Sequence, residues 1–334
     1  MTKTVQVLLA RRPQGDVTAD CFKRVEVDLA APAEGQVLIR SRYLSLDPYM
    51  RPRMTETRSY TPPFELGKPL TGGVIGEIVA SANPKFSAGD TVIGMLDWAS
   101  HTLHDGKGLR KIDPAIAPLP AWLGTLGMPG FTAWYGMNRL CKPKAGETVF
   151  VSAATGAVGQ IAGQLAKLAG ARVVGCAGDD AKCNFAVREL GYDACFNHRL
   201  ERDYGAMLDR LCPKGIDADF ENVGGKIFHA VFARLNDFAR VAFCGAISEY
   251  QDKEPMAGPP KMFAIVQRRL SIQGFVVSDH LPLMGEFASE VGALVRAGKL
   301  KSRETVIDGL DNAPQAFMGL LKGENFGKLV VKVA

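Results

Sequence analysis

The run "FVSAATGAVGQIAGQLAKLAG", beginning at Phe150, constrains the fold of this chain more than any other stretch. Gly156, Gly159 and Gly163 crowd it, and glycine carries an entropic cost that calls for a reason. "TVFVSA" (148–153) is apolar and β-branched and reads as a buried strand. "AVGQIAGQLAKLAG" reads as a helix, with Val158, Ile161, Ala162, Leu165 and Leu168 on one face. Strand, glycine turn and helix make the opening unit of a dinucleotide-binding fold, where a diphosphate rests on the N–H groups at the helix start. In the pattern G-x-G-x-x-G, Ala154 takes the first glycine position, ahead of Gly156 and Gly159. Gly163, one turn on, lets the helix pack close to the sheet. A tight βα turn without a ligand is the competing reading; the strand before and the helix after favour the ligand.

A length of 334 residues predicts about two domains. Residues 1–125 read as β-rich. "VEVDLA", "QVLIRSRYLSL", "GGVIGEIVAS" and "DTVIGML" are short strand-like runs punctuated by proline and glycine. Beyond them the texture becomes βαβ alternation: "RVVGCAG", "ACFNH", "ADFENVG", "RVAFCGA" and "LSIQGFVV" follow "TVFVSA" as strands, with helical segments such as "AKCNFAVREL" and "KIFHAVFARL" between the earlier ones. That alternation predicts a parallel, doubly wound sheet over 126–298. A tail, 299–334, ends in the apolar strand of "GKLVVKV". The most loop-like stretch is "EPMAGPPK" (254–261), a candidate carrier of function.

The formal charge is +5 but no Lys/Arg run concentrates it, so nucleic acid is not expected as a partner. No apolar stretch reaches the ~18 residues of a membrane helix, and "MTKTVQVLLARRPQG" lacks the apolar run of a signal peptide. The seven scattered cysteines contain no C-x-x-C pair and fit reduced thiols in a cytoplasm. "HTLHD" sets His101 and His104 three apart, too few ligands for a metal site, and reads as a solvated loop.

NAD-binding folds usually end the second strand in an acid that holds the ribose diol. Here "RVVGCAG" ends in Cys176, Ala177 and Gly178, which leaves room for a 2′-phosphate, and Lys182 follows to supply charge. Asp179 and Asp180 would repel that phosphate unless they cap the next helix. On balance the cofactor expected is NADPH/NADP⁺.

"YLSLDPYMR", "GMPGFTAWYGM", "SAATGAVGQ", "FENVGG", "GAISEY" and "AFMGLLKGENFGKLVVKV" occur in this order over nearly the whole chain. Together they resemble the prostaglandin reductase, leukotriene B4 dehydrogenase and 2-alkenal reductase branch of the medium-chain dehydrogenase/reductase superfamily, whose bacterial members include curcumin reductases. The resemblance implies an α/β architecture: a GroES-like β-rich catalytic domain plus a Rossmann doubly wound parallel sheet, with the tail returning to the catalytic domain. It implies a homodimer paired through the edge strand "LSIQGFVV". Zinc enzymes of the superfamily need Cys and His ligands. "YLSLDPYM" holds neither, "LTGGVIGE" lacks a His, and no four-cysteine lobe is present, so the metal expected is none.

The same resemblance implies the site residues. Gly156, Ala157, Val158 and Gly159 hold the diphosphate and Lys182 the 2′-phosphate. His198 stands where the family has a helping tyrosine. Asn222 lies near the ribose, Cys244, Gly245, Ala246 and Ile247 line the nicotinamide, and Phe275 and Val277 bring backbone to the carboxamide. Asn325 reaches the cofactor from the tail. Tyr250 acts on the substrate, and Tyr49 lies at the substrate mouth. The implied reaction reduces a C=C bond conjugated to a carbonyl, in an enone or enal. Charge gathers on the carbonyl oxygen, so a donor is needed there, and the α-carbon must take a proton from Tyr250 or water. The alternatives are a quinone reductase and a non-catalytic NADPH-binding protein that binds RNA.

Overall fold

Buried β-branched runs set the parallel sheet that carries most of the expected site. The computed structural model describes residues 1–251, 258, 259 and 261–333, and it divides into two units: Met1–Leu123 with Glu304–Ala334, and Gly124–Arg303. The loop-like stretch 254–261 falls outside the described residues except for Gly258, Pro259 and Lys261.

In the second unit six strands lie in the order Ala194–Asn197, Arg172–Ala177, Thr148–Val151, Ile216–Glu221, Leu235–Phe243 and Ser271–Gly274, and every neighbouring pair is parallel. The sequence order reverses between Thr148–Val151 and Ile216–Glu221. That is the switch point beside which doubly wound sheets bind ligands, beyond the carboxyl ends of the strands. Phe150, Val174, Phe196, Ile216, Phe232 and Val241 build its core.

Helix Gly159–Leu168 departs from its expected one-sided face. Leu168 is 51% exposed, while Gln160 and Gln164 are buried. The two glutamines grip a later segment: Lys301 N–H donates to Gln164 Oε1 at 2.8 Å, and Arg303 N–H to Gln160 Oε1 at 2.9 Å. These bonds tie residues 301–303 to the helix beside the parallel sheet, and the second unit runs to Arg303.

In the first unit the strands run Glu304–Asp308, Lys328–Lys332, Val37–Ser45, Thr71–Ser81, Thr91–Asp97 and Arg110–Lys111, and Thr2–Leu9 pairs with Phe22–Leu29 in a separate hairpin. The tail strand Lys328–Lys332 lies antiparallel to Val37–Ser45, with Val330 opposite Ser45. Trp98, Phe317, Leu44, Met50 and Val74 fill the core. "HTLHD" is not a solvated loop. His101–His104 forms a strand against residues 37–40, and His104 Nδ1 accepts the Gly106 N–H at 3.0 Å, capping the turn that follows.

Candidate active site

Every expected site residue of the second unit follows the carboxyl end of one of its strands. At the first strand the glycine turn is closed tightly. A Cβ on Gly159 would stand 2.2 Å from Ala153 O, a clash that only glycine avoids. Ala153 itself has φ of 49°, a conformation that costs a non-glycine residue about 1–2 kcal/mol. The helix that follows has no side-chain cap, since Val158 offers none; Gln160 and Ile161 N–H groups donate to Gly156 O and Val158 O, so an anion at the helix start would meet the Gly159 N–H. Gly163 makes room for an aromatic ring: a Cβ there would lie 2.2 Å from Tyr192, whose hydroxyl donates to Gly159 O at 2.8 Å. Tyr192 thus fills the space under the turn and holds its backbone.

At the second strand Asp179 caps helix Asp180–Arg188, its Oδ1 accepting the Lys182 N–H at 2.8 Å. Asp180 Oδ1 accepts from Asn197 Nδ2 at 2.9 Å. Both acids are therefore engaged within the protein. Lys182 is 8% exposed, and its Nζ stands 3.5 Å from Asp179 Oδ2. At the third strand His198 N–H donates to Ala177 O at 3.0 Å, which brings the ring to the end of the second strand. Burial lowers the proton affinity of His198, and the charges of Arg199 and Lys182 lower it further.

On the other side of the switch point, the turns after Ile216–Glu221 and Leu235–Phe243 are laced together. Ser152 Oγ donates to Glu221 Oε1 at 2.6 Å, and that oxygen also accepts the N–H groups of Val223 (2.5 Å) and Gly224 (2.9 Å). Asn222 N–H donates to Ser152 Oγ at 2.7 Å and its Nδ2 to Ser152 O at 2.8 Å. Cys244 and Gly245 N–H groups donate to Glu221 O, and Ile247 N–H to Asn222 O. Desolvation pushes the Cys244 thiol up to about 12, so it stays neutral. Tyr250 folds back over this turn: its hydroxyl oxygen is 3.1 Å from where a Cβ on Gly245 would stand. Burial, then Cys244 and Glu249, raise the Tyr250 pKa, so the phenol keeps its proton at neutral pH. Phe275 packs on Tyr135 and Phe220, and Val277 opens the 3₁₀ turn after the last strand.

Tyr49 and Asn325 belong to the first unit. Burial, then Asp47, raise the Tyr49 pKa. Asn325 Nδ2 donates to Gly327 O at 2.7 Å. Nearby in this unit, Lys328 Nζ is fully buried and donates to Asp47 Oδ1 (2.9 Å), Leu46 O (2.7 Å) and Leu329 O (3.0 Å).

Residues 5–112 match the family "N-terminal domain of oxidoreductase", and residues 157–293 the family "zinc-binding dehydrogenase". The chain is 45% identical over 333 residues to the NADPH-dependent curcumin reductase of Escherichia coli, covering 98% of this chain and 96% of that protein. It is 42% identical over 316 residues to the NADP⁺-dependent 2-alkenal reductase of Nicotiana tabacum, covering 94% and 92%. The crystal structure of CurA from Vibrio vulnificus in complex with NADPH superposes with a TM-score of 0.93 at 42% identity, covering 99% of each chain. The chain belongs to the medium-chain dehydrogenase/reductase superfamily, in the branch of the curcumin and 2-alkenal reductases. Among the described residues no group of three or more His, Cys, Asp or Glu side chains is placed to hold a metal. A dinucleotide suits this chain, given the uncapped helix start, the engaged acids and the cations that meet at the second strand's end.

The sequence reading missed Glu221, Ser152 and Arg199. An acid closing the apolar strand "ADFE" was a usable signal for Glu221, because a buried carboxylate needs several donors.

Proposed function

We propose that this protein is an NADPH-dependent, zinc-independent reductase of C=C bonds conjugated to a carbonyl, acting on small enones and enals. The observation that carries the reading is the neutral Tyr250 phenol held over Gly245, beside the switch point. NADPH, when bound, supplies the hydride that enters at the β-carbon. Gly156, Ala157, Val158 and Gly159 hold its diphosphate, Lys182 and His198 its 2′-phosphate, and Asn222 its ribose. Cys244, Gly245, Ala246 and Ile247 line the nicotinamide, with Phe275 and Val277 giving backbone to the carboxamide. Asn325 adds a cofactor contact and Tyr49 a substrate contact.

Tyr250 donates its O–H to the carbonyl oxygen, where enolate charge gathers, and it or a water delivers the proton to the α-carbon. The Glu221 network fixes the turn on which Tyr250 stands, so the donor is aimed before the charge develops. The dispersed free thiols fit the reducing cytoplasm. Ser271–Gly274 ends the parallel sheet, and pairing through it gives the homodimer. The experiment is product analysis with NADPH and a simple enone. A saturated ketone supports the reading, and turnover of quinones alone replaces it with a quinone reductase.

A further inference from the structure

We propose that Arg199 is a specificity-determining residue of the cofactor site: its guanidinium binds the 2′-phosphate that distinguishes NADPH from NADH. The inference rests on the NADPH reading above and names a residue that reading lacked. Gly178, the last small residue of the second strand's end, lies directly beneath the side chains of Arg199 and His198. A Cβ built there would stand 3.5 Å from Arg199 Nε, 3.6 Å from Arg199 Cζ and 3.7 Å from His198 Nε2. An atom seated where that Cβ would stand therefore meets both side chains.

The turn carrying Arg199 is held in place from several sides. Arg199 N–H donates to Asn197 Oδ1 at 3.1 Å, and Asn197 Nδ2 ties the turn to Asp180 on the neighbouring helix. Tyr204 O–H donates to His198 O at 2.9 Å, and Leu200 and Glu201 N–H groups donate to Asn197 O. A fixed turn holds the Cα of Arg199 in place, so the backbone need not be ordered when the guanidinium binds. Charge points the same way. Lys182 pairs its ammonium with Asp179 at 3.5 Å, so part of its charge is already offset. Arg199 brings a planar fork of donors that matches phosphate in two-pronged fashion, which a lysine cannot do. Burial, then the charges of Arg199 and Lys182, lower the proton affinity of the His198 ring, so both cations act on the same side chain that flanks Gly178.

The test uses the whole apo protein and two fragments, 2′,5′-ADP and 5′-AMP, which differ only in the 2′-phosphate. Binding is measured by calorimetry for wild type, Arg199→Ala and Arg199→Lys, with thermal melting to show that each variant is folded. Arg199→Ala should weaken 2′,5′-ADP on the order of tenfold or more and leave 5′-AMP unchanged, because a charge-assisted pair is lost. Arg199→Lys should recover part of that loss. KM should rise for NADPH and not for NADH. An Arg199→Ala protein with wild-type affinity for 2′,5′-ADP overturns the proposal, and so does equal weakening of both fragments, which means that Arg199 stacks on adenine or only supports the turn. A wild-type protein that fails to prefer 2′,5′-ADP overturns the NADPH reading itself and this inference with it.

Discussion

The Tyr250 hydroxyl oxygen stands 3.1 Å from the position that a Cβ on Gly245 would occupy. The backbone there is bare where the phenol comes down, and burial keeps the phenol protonated. Removing the hydroxyl should therefore act on chemistry and not on cofactor binding. Tyr250→Phe should lower kcat on the order of 10²-fold, or less where the cofactor ribose shares the oxygen, at unchanged NADPH affinity. Steady-state kinetics with a simple enone, alongside NADPH fluorescence, check this. Wild-type kcat in the Phe variant would show that the hydroxyl is dispensable.

The glycine turn separates folding from binding within four residues. A Cβ on Gly159 would meet Ala153 O at 2.2 Å, whereas one on Gly156 would meet the same oxygen at 3.2 Å and needs only a small adjustment. Gly159→Ala should destabilise the protein by about 1–3 kcal/mol, as overpacking does. Gly156→Val should melt near wild type and lose NADPH, because the side chain fills space meant for diphosphate. Thermal melting and NADPH titration of both variants distinguish the two roles. NADPH affinity that survives in folded Gly156→Val would confine that glycine to the turn.

Much of this was legible in the sequence, and the omissions have physical causes. The parallel strands are wholly buried, so they read as apolar runs whatever surrounds them. The capping role open to Asp179 could also be read, since an Asp before a helix has a local use. Tyr192 could not: it is far from Gly163 in sequence, and only the fold slides its ring beneath that helix. Arg199 was hidden for the same reason, because Asn197, Tyr204 and Ala177 together aim its turn at Gly178. Helix Met128–Tyr135 has no counterpart in the sequence reading; Pro129 stands in its first turn, where proline fits because its missing N–H would be unpaired anyway. Residues 301–303 are tied down by two buried glutamines that periodicity assigns to a polar face.

Asp219 is fully buried, and neither carboxylate oxygen has a hydrogen-bond partner among the described residues. Burial, then the neighbouring Glu221, raise its pKa. A carboxyl whose folded pKa lies above its unfolded value binds a proton on folding. Stability is then full below the unfolded pKa of about 4 and falls as pH rises toward the folded value, with a slope of up to about 1.4 kcal/mol per pH unit for each proton. Asp219→Asn should flatten this slope, leaving the share due to Glu221. Urea unfolding across mildly acidic to neutral pH measures it, and an unchanged slope would place the titration elsewhere.

Lys328 joins the tail strand to the segment before Tyr49 through its buried pair with Asp47. Asp47 also accepts from Ser45 Oγ. Lys328→Met would leave a buried carboxylate without its cation and should destabilise the protein by about 3–5 kcal/mol. Adding Asp47→Leu should restore much of that loss. Denaturant midpoints of the single and double variants decide the matter; a double variant no better than Lys328→Met would mean that the pair is not coupled.

The central claim is tested most directly by following the hydride. NADPH carrying deuterium at its transferable position is reacted with a simple enone, and the product is examined by NMR and mass spectrometry. The account predicts a saturated ketone with a single deuterium on the former β-carbon. An allylic alcohol with deuterium on the former carbonyl carbon, or no turnover of the enone beside rapid reduction of a quinone, would contradict it.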